Sequence, residues 1–435
     1  MLVKFSLQNF KTFRNRVELS MIATNYDKTR EQENIYSCEA FNLRLLRSAV
    51  IYGANASGKS KIMEALQFMR QFVLGSSRES QKGDIIPVIP FLLSDTSQLL
   101  PSEFEIIFIY NNEMFRYGFE VTQKEVVAEW LYHRPKTKEV EVFYREKQTF
   151  NLHRDFTIGK KLVDDNMVRD NALLLSVAAQ FNDSLSGKVF DWMFGFRVLP
   201  ALDPVGYKIY SVESIANPEM KKKMLDMLVK ADISITDIEL HELEIDDTSL
   251  ASLNDPALIT FIKSKRSKVK SLKKVFAVHD IFNDQHEVVG KAAFDFENEE
   301  SSGTNQFFAL SGPIIDVIEK GWVLAIDELD SKLHPLLVQK IVELFNSKEV
   351  NRNNAQLIFN THDTNLLSAS LFRRDQIWFV KKDRYGAAQL YSMADFKSAV
   401  RNSEQYEKNY ILGKYGAIPV VNDIIPEYGT KNPLG

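Results

Sequence analysis

The sequence has one cysteine, no excess of basic residues and no long hydrophobic run. A single thiol, Cys38, excludes an intramolecular disulfide or a multi-cysteine metal site and fits a reducing compartment. The formal net charge is −4, so a surface for nucleic acid would have to be a local patch. No apolar run approaches the roughly 18 residues of a membrane span, and the N-terminus alternates like a strand instead of resembling a signal peptide. We therefore expect a cytoplasmic protein with no contact to a membrane.

The composition is that of a globular protein with a sizeable core. Hydrophobic residues make up 45% and charged residues 26% of the chain. Short apolar runs that alternate with helical patterns predict a parallel sheet covered on both faces, and thus an α/β fold. We divide the chain into three parts. Residues 1–160 form a lobe with an antiparallel β-rich subdomain, residues 161–285 a mostly helical insertion, and residues 286–435 a second α/β lobe.

A glycine loop lies between a predicted strand, residues 45–52, and a helical pattern that starts near Met63. The loop has the complete P-loop pattern G-x4-G-K-S. Its residues are Gly53, Ala54, Asn55, Ala56, Ser57, Gly58, Lys59 and Ser60. Glycines let successive backbone N–H groups point at phosphate oxygens, and the following helix adds its positive end. Lys59 is expected to contact the β- and γ-phosphates of ATP, and the Ser60 hydroxyl to bind Mg²⁺.

Two carboxylates follow a second apolar run, residues 323–326. In open α/β sheets, ligands bind at the carboxyl ends of the strands, where Asp327 and Glu328 are expected. We predict that Asp327 holds the magnesium shell and that Glu328 orients or deprotonates the attacking water. An apolar run that ends in Asp-Glu can also be a strand that meets a solvated turn, but the complete P-loop upstream favours catalysis.

A third apolar run, residues 356–361, is followed by His362. A lone histidine is more often structural than catalytic. This one comes about one strand–helix unit after Glu328, which predicts that it lies beside the end of the second strand. From there it could hydrogen-bond the γ-phosphate or the attacking water.

A fourth small-residue motif precedes an apolar helix that includes Phe307. It consists of Ser301, Ser302, Gly303 and Thr304. Free N–H groups at such a helix start could bind a second anion, although the same residues also make an ordinary helix N-cap.

In this order the four motifs resemble the ABC ATPase superfamily. The likeness is to its soluble branch, with chromosome-maintenance, recombination-repair and OLD ATPases, more than to transporters, and the opening residues 7–13 are similar to that branch's first hairpin. The resemblance implies that residues 301–304 are the signature motif, which contacts the γ-phosphate bound by an opposite subunit. It also implies that Asp330 is the D-loop residue and His362 the switch histidine. A homodimer or larger homo-oligomer is therefore expected.

A finer resemblance, over essentially the whole chain, is to prokaryotic ATPases of anti-phage and abortive-infection systems, including the phage-anti-restriction-induced type. Residues 327–335, 356–363 and 410–419 carry it. It implies an ATPase that senses infection, with a phage-derived trigger, and controls a Toprim-type nuclease or another toxin. Only 73 residues (435 − 362) follow His362, so we expect that effector to be a separate protein.

The alternative is a repair-like ATPase that binds DNA directly. The run from Lys263 to Lys274 holds seven basic residues in twelve and could neutralise several phosphates. For a single charge run, a solvated face is the favoured interpretation, and the run could also contact an acidic partner. A transporter's nucleotide-binding subunit is disfavoured, because it needs neither the β-rich region nor the insertion.

Overall fold

The computed structural model describes residues 1–201, 205–244, 271–396 and 405–419. Two large sheets dominate it, one with seven antiparallel strands and one with six mainly parallel strands. Helices cover both faces of the parallel sheet, which confirms the predicted α/β class. None of the helices within these ranges combines the length and the apolar character that crossing a membrane requires.

The strands of the first 160 residues supply the whole antiparallel sheet and one central strand of the parallel sheet. In chain order they are β1 (Leu2–Gln8), β2 (Val17–Ser20), β3 (Ile35–Cys38), β4 (Leu43–Leu46), β5 (Ser48–Gly53), β6 (Ser102–Tyr110), β7 (Glu113–Val121), β8 (Val126–Arg134), β9 (Val140–Glu146) and β10 (Thr149–Leu152). The antiparallel sheet has the order β10-β9-β8-β7-β6-β1-β2, so the N-terminal hairpin extends the β-rich subdomain. β3 and β4 pair as a separate hairpin.

The later strands complete the parallel sheet and form a third, smaller sheet. They are β11 (Phe196–Leu199), β12 (Asp237–Glu244), β13 (Ser271–Phe282), β14 (Val288–Asp295), β15 (Val323–Ile326), β16 (Gln356–Asn360), β17 (Ile377–Lys382) and β18 (Ala388–Ser392). The parallel sheet has the order β11-β15-β16-β5-β17-β18, with only β18 antiparallel. Consequently β15 and β16 lie on one side of β5, and all three end at the same edge.

The helices connect and cover these sheets. They are α1 (Glu31–Asn34), α2 (Lys59–Gly75), α3 (Thr157–Asp164), α4 (Leu174–Gln180), α5 (Ser184–Gly195), α6 (Val205–Ser214), α7 (Pro218–Lys230), α8 (Ser302–Lys320), α9 (Pro335–Asn346) and α10 (Tyr406–Ile411). α8 begins at an N-cap, Ser301, and ends at Gly321, which has a φ of 67°. α9 starts with a proline at its first position, where no backbone N–H is needed.

α2 joins the two large sheets into one hydrophobic core. Its buried positions Ile62, Leu66 and Met69 recur at helical spacing. Phe68 lies 5.0 Å from Phe104 of β6, between ring centroids, while parallel-sheet residues belong to the same cluster. A second cluster covers the opposite face of the parallel sheet with α8 and α9.

The segment predicted as a mostly helical insertion is helical from α3 to α7, apart from β11. β11 pairs with β15 and is an edge strand of the parallel sheet. The α/β lobe predicted for residues 286–435 begins with β14, but this strand does not join the parallel sheet. It follows β13 through a short turn and therefore pairs antiparallel with it, and β12 to β14 form their own sheet. Of the basic run, residues 263–270 lie outside the described residues, and residues 271–274 begin β13.

Candidate functional site

The glycine loop connects the end of β5 to the start of α2. Ala56 and Gly58 have φ values of 59° and 117°, and the Ser57 N–H donates to the Ala54 carbonyl at 3.1 Å. A Cβ on Gly58 would lie 2.8 Å from Thr12 Oγ1, so only glycine fits both the backbone conformation and the space. The loop therefore takes a fixed shape from its own turn and from the N-terminal hairpin.

Lys59 reaches back across the loop. Its side-chain Nζ donates to the carbonyl oxygens of Gly53, at 2.8 Å, and Ala54, at 3.2 Å. Burial lowers the pKa of Lys59 to about 8, although the nearby carboxylates of Glu328 and Asp327 favour its charged form. The lysine is thus held where a phosphate would exchange its carbonyl contacts for a stronger charge-assisted one.

A cavity of about 750 Å³ opens over this loop. It brings together predicted site residues from three separate segments, along with residues that the sequence did not single out. Its lining consists of Thr12, Asn55, Ala56, Ser57, Gly58, Lys59, Ser60, Lys61, Glu328, His362 and Lys382. No predicted role falls on Thr12, Lys61 or Lys382. Thr12 comes from the β1–β2 hairpin and Lys382 from the end of β17.

The carboxylates after β15 are fixed by a side chain of the neighbouring strand. Asn360, the last residue of β16, donates its amide to the Asp327 carboxylate and accepts the Glu328 N–H at 2.6 Å. The Asp327 N–H donates to the Leu199 carbonyl at 2.9 Å. Glu328 itself has a φ of 54°, which turns the chain sharply where its side chain faces the cavity. The sequence places Asn360 within the third predicted strand, residues 356–361, and predicts no role for its side chain.

His362 and Asp330 meet at the same edge. The His362 N–H donates to the Asp330 carboxylate at 3.2 Å, while Asp330 Oδ1 is buried and has no hydrogen-bond partner among the described residues. Burial and the charge of Lys59 lower the pKa of His362, with the nearby carboxylates opposing them. The imidazole is therefore mainly neutral at pH 7 and can either donate or accept a hydrogen bond.

The residues present fit a magnesium ion bound together with nucleotide. In the ranges that the structure describes, no group of three or more His, Cys, Asp and Glu side chains could hold a metal. Mg²⁺ typically takes one or two protein oxygens and fills its other positions with water and substrate phosphates. Ser60 lines the cavity, and Asn360 fixes the Asp327 carboxylate. The Ser60 hydroxyl and the Asp327 carboxylate are therefore the two protein oxygens that would hold the ion.

The motif at residues 301–304 forms the N-terminus of α8 and lies outside the lining of this cavity. The Ser301 hydroxyl accepts the Thr304 N–H at 3.1 Å, as a helix N-cap does. A Cβ on Gly303 would lie 2.9 Å from the Lys332 carbonyl oxygen, so this helix start packs closely on the segment after Glu328. The motif is therefore available to a partner and does not contact the cavity of its own chain.

A protein-family model described as "AAA domain, putative AbiEii toxin, Type IV TA system" matches residues 48–368, well over half of the chain. No curated protein matches the sequence.

Several solved SMC head domains are similar at 14% identity. One, bound to the C-winged helix domain of ScpA, has a TM-score of 0.39 and coverage of 90% of this chain and 97% of that chain. One from Thermotoga maritima has a TM-score of 0.40, with 90% and 98% covered. One with an extended coiled coil, bound to the C-terminal domain of ScpA from Pyrococcus furiosus, has a TM-score of 0.34, with 95% and 98% covered. These likenesses are too distant to indicate a function.

Proposed function

The chain belongs to the AAA-domain family of the AbiEii type, and on this premise we propose that it hydrolyses ATP in the cavity over the glycine loop. Its core has the ABC-type P-loop ATPase fold predicted from the sequence. The observation that carries the proposal is the juxtaposition of Lys59, Glu328 and His362 in one cavity. Three segments far apart in sequence thereby supply a phosphate-binding cation, a carboxylate and a neutral imidazole.

In the proposed reaction, the backbone N–H groups of residues 55–60 and Lys59 hold the β- and γ-phosphates. Mg²⁺, held by Ser60 and Asp327, supplies positive charge to the phosphate oxygens when it is bound. Glu328 accepts a proton from the water whose oxygen attacks the γ-phosphorus, and the bond to the ADP oxygen breaks. His362 hydrogen-bonds the γ-phosphate, where its neutral ring avoids repulsion by Lys59.

We further propose that the active form is a homodimer or larger homo-oligomer. Residues 301–304 lie at a helix N-terminus outside their own chain's cavity, which supports a role across a subunit boundary. There Ser301 and Gly303 would contact the γ-phosphate held by the other copy, and Asp330 would lie at the boundary. ATP would then stabilise the assembly as well as serve as its substrate.

For the biological role, we propose an abortive-infection ATPase that senses a phage-derived trigger and controls a separate nuclease or toxin. The family description and the resemblance carried by residues 327–335 and 356–363 support it. Direct DNA binding is the weaker alternative. It rests on the run from Lys263 to Lys274. Lys274, one of the seven basic residues in that run, is paired with Asp295 at 2.7 Å, and residues 263–270 lie outside the described ranges.

Two substitutions test the ATPase proposal. Lys59→Ala removes the cation that contacts the phosphates, so we expect it to abolish binding of a fluorescent ATP analogue. Glu328→Gln keeps the shape of the site but cannot accept the proton. We expect it to bind ATP normally, to lower turnover by about 100-fold or more, and to accumulate an ATP-bound dimer in size-exclusion chromatography with light scattering.

Lys124→Ala and Glu349→Gln make the same chemical changes at exposed positions outside the cavity and should behave like the wild type. Normal turnover in Glu328→Gln would refute the role of Glu328. The biological role is tested by phage plating on cells that carry the wild-type or Glu328→Gln gene with its neighbouring genes. Equal plating on both strains and on empty cells would contradict it.

A further inference from the structure

A second cavity, of about 250 Å³, lies beside the exposed edge of β11 and shares no lining residue with the cavity over the glycine loop. It is lined by parts of α2, β11, α6 and α8. The lining residues that matter here are Gln67, Arg70, Arg197, Gly206, Tyr210 and Asp316. Gln67 and Arg70 are three residues apart on α2 and therefore face the same side of that helix.

Two arginines line this cavity, and neither has a carboxylate partner among the described residues. Neither Arg70 nor Arg197 forms an ion pair with another described residue, and Arg70 donates one hydrogen bond, to the Met193 carbonyl at 3.2 Å. Burial, together with the charge of Arg197, lowers the pKa of Arg70 to about 10. Two like charges held this close repel each other, and an anion between them would relieve that repulsion.

Aromatic rings compensate the charge of Arg197 only in part. Its guanidinium carbon lies 4.9 Å from the ring centre of Phe194 and 5.0 Å from that of Trp322, distances typical of cation–π contacts. No hydrogen bond from the guanidinium N–H groups of Arg197 to another described residue is present. Its fork of donors therefore stays available to an anion.

Among the described residues, the lining holds one carboxylate, that of Asp316, which pairs with Lys320 at 2.7 Å. Burial and this carboxylate raise the pKa of Tyr210 to about 12. Asp316 therefore does not neutralise the arginines. The Gln67 amide, which forms no hydrogen bond within the described part of the chain, adds a further donor.

We propose that this cavity binds the phosphate group of a small ligand through Arg70, Arg197 and Gln67. Guanidinium groups match phosphate oxygens with paired, charge-assisted hydrogen bonds. The cavity, about 250 Å³, is smaller than the roughly 300 Å³ at which drug-sized pockets begin, so it suits free phosphate or the phosphate end of a mononucleotide. Tyr210, whose ring centre lies 5.9 Å from the guanidinium carbon of Arg197, also lines the cavity. Leu199, also in the lining, accepts the Asp327 N–H, so the site adjoins the carboxylates of the ATP site.

Binding is tested by isothermal titration calorimetry with inorganic phosphate and with AMP. The titrations use the full chain carrying Lys59→Ala, so that the glycine loop contributes little. We expect saturable binding of at least one probe, at one site per chain. Arg70→Gln, added to this background, should weaken it about tenfold or more, because it replaces a charge-assisted contact. An AMP affinity well above that of phosphate would identify a nucleotide site, and similar affinities would identify a site for free phosphate.

A pair of glycines provides the control for folding. A Cβ on Gly206, in α6, would meet no atom of a described residue within 4 Å, and Gly206 lines the cavity, so Gly206→Leu should fill it and abolish binding. Gly187, in α5, is equally open but lies outside the lining, so Gly187→Leu should bind like its parent. The proposal is overturned if neither probe binds, if Gly206→Leu binds unchanged, or if both leucine variants lose binding alike.

Discussion

Asn360 joins the two carboxylate residues at the end of β15, and its replacement by alanine removes both of its links at once. The side chain is fully buried and makes one hydrogen bond to the charged Asp327 side chain and one to the Glu328 N–H. A bond to a charged group contributes about 2 kcal/mol and a neutral one about 1 kcal/mol. Asn360→Ala should therefore destabilise the fold by about 3 kcal/mol.

The effect on catalysis should exceed what this loss of stability explains. Glu328 has a positive φ, and Asn360 accepts the N–H that fixes that turn. Without it, Glu328 can leave the position in which it lines the cavity, and the Asp327 carboxylate loses the amide that holds it. We expect turnover to fall about 10-fold or more, since small displacements of a catalytic group carry costs of that size. Nucleotide binding through Lys59 should change little.

Asn351 offers a matched control. It is also fully buried and makes three side-chain hydrogen bonds, to the Phe345 carbonyl and to the N–H and carbonyl of Ala355, all within 2.8 Å. Asn351→Ala should lower stability by a similar 3 kcal/mol or so, but away from the cavity. Urea denaturation measures the free energy of unfolding, and a coupled ATPase assay at a temperature where both variants are folded measures turnover. Equal turnover in the two variants would refute the positioning role of Asn360.

Three further results are expected. ATP affinity should fall as the pH rises above about 8, because bound phosphates favour charged Lys59, whose pKa in the free protein is about 8. Calorimetry in buffers of different ionisation enthalpy should show that the protein takes up protons when ATP binds. The absence of proton uptake would contradict this prediction. His362→Ala should keep ATP binding but lower single-turnover hydrolysis, and unchanged hydrolysis would make the histidine structural. Gly303→Ala would place a Cβ 2.9 Å from the Lys332 carbonyl oxygen. Added to Glu328→Gln, it should weaken the ATP-dependent dimer seen by light scattering without loss of ATP binding. A normal dimer would argue against a role of residues 301–304 in assembly.

The parts of the site that follow from local rules could be predicted from the sequence. The spacing from Gly53 to Ser60 determines a turn by itself, because glycine supplies the conformations that the loop needs. Glu328 and His362 follow apolar runs, and parallel strands present their carboxyl ends at one edge. The structure brings both into the cavity with Lys59.

Residues whose position depends on strand order could not be predicted in this way. Thr12 reaches the loop because β1 pairs with β6 and carries its hairpin over Gly58. Lys382 reaches the cavity because β17 lies beside β5. Asn360 bridges two residues of another strand only because β16 is the neighbour of β15. None of these pairings leaves a local pattern in the sequence.

The strands of the later region show the same limit. β11 has only four residues and begins directly after Gly195, the last residue of α5. Four residues are too few to show a strand pattern, and only the pairing with β15 places this segment in the parallel sheet. β14 has an apolar pattern compatible with either sheet, and the short turn from β13 decides the outcome.

The core around α2 determines how the molecule can come apart. Phe68 and Phe72 pack on Phe104 and Phe119 of the antiparallel sheet, and the same cluster includes Ile51 beside the glycine loop. A shared core of this kind makes two sheets unfold as one cooperative unit. The antiparallel sheet is consequently not a detachable module: its excision would expose the helix that begins at Lys59. A mutation deep in that sheet would thus change the fraction of molecules able to bind nucleotide, even though it lies far from any phosphate.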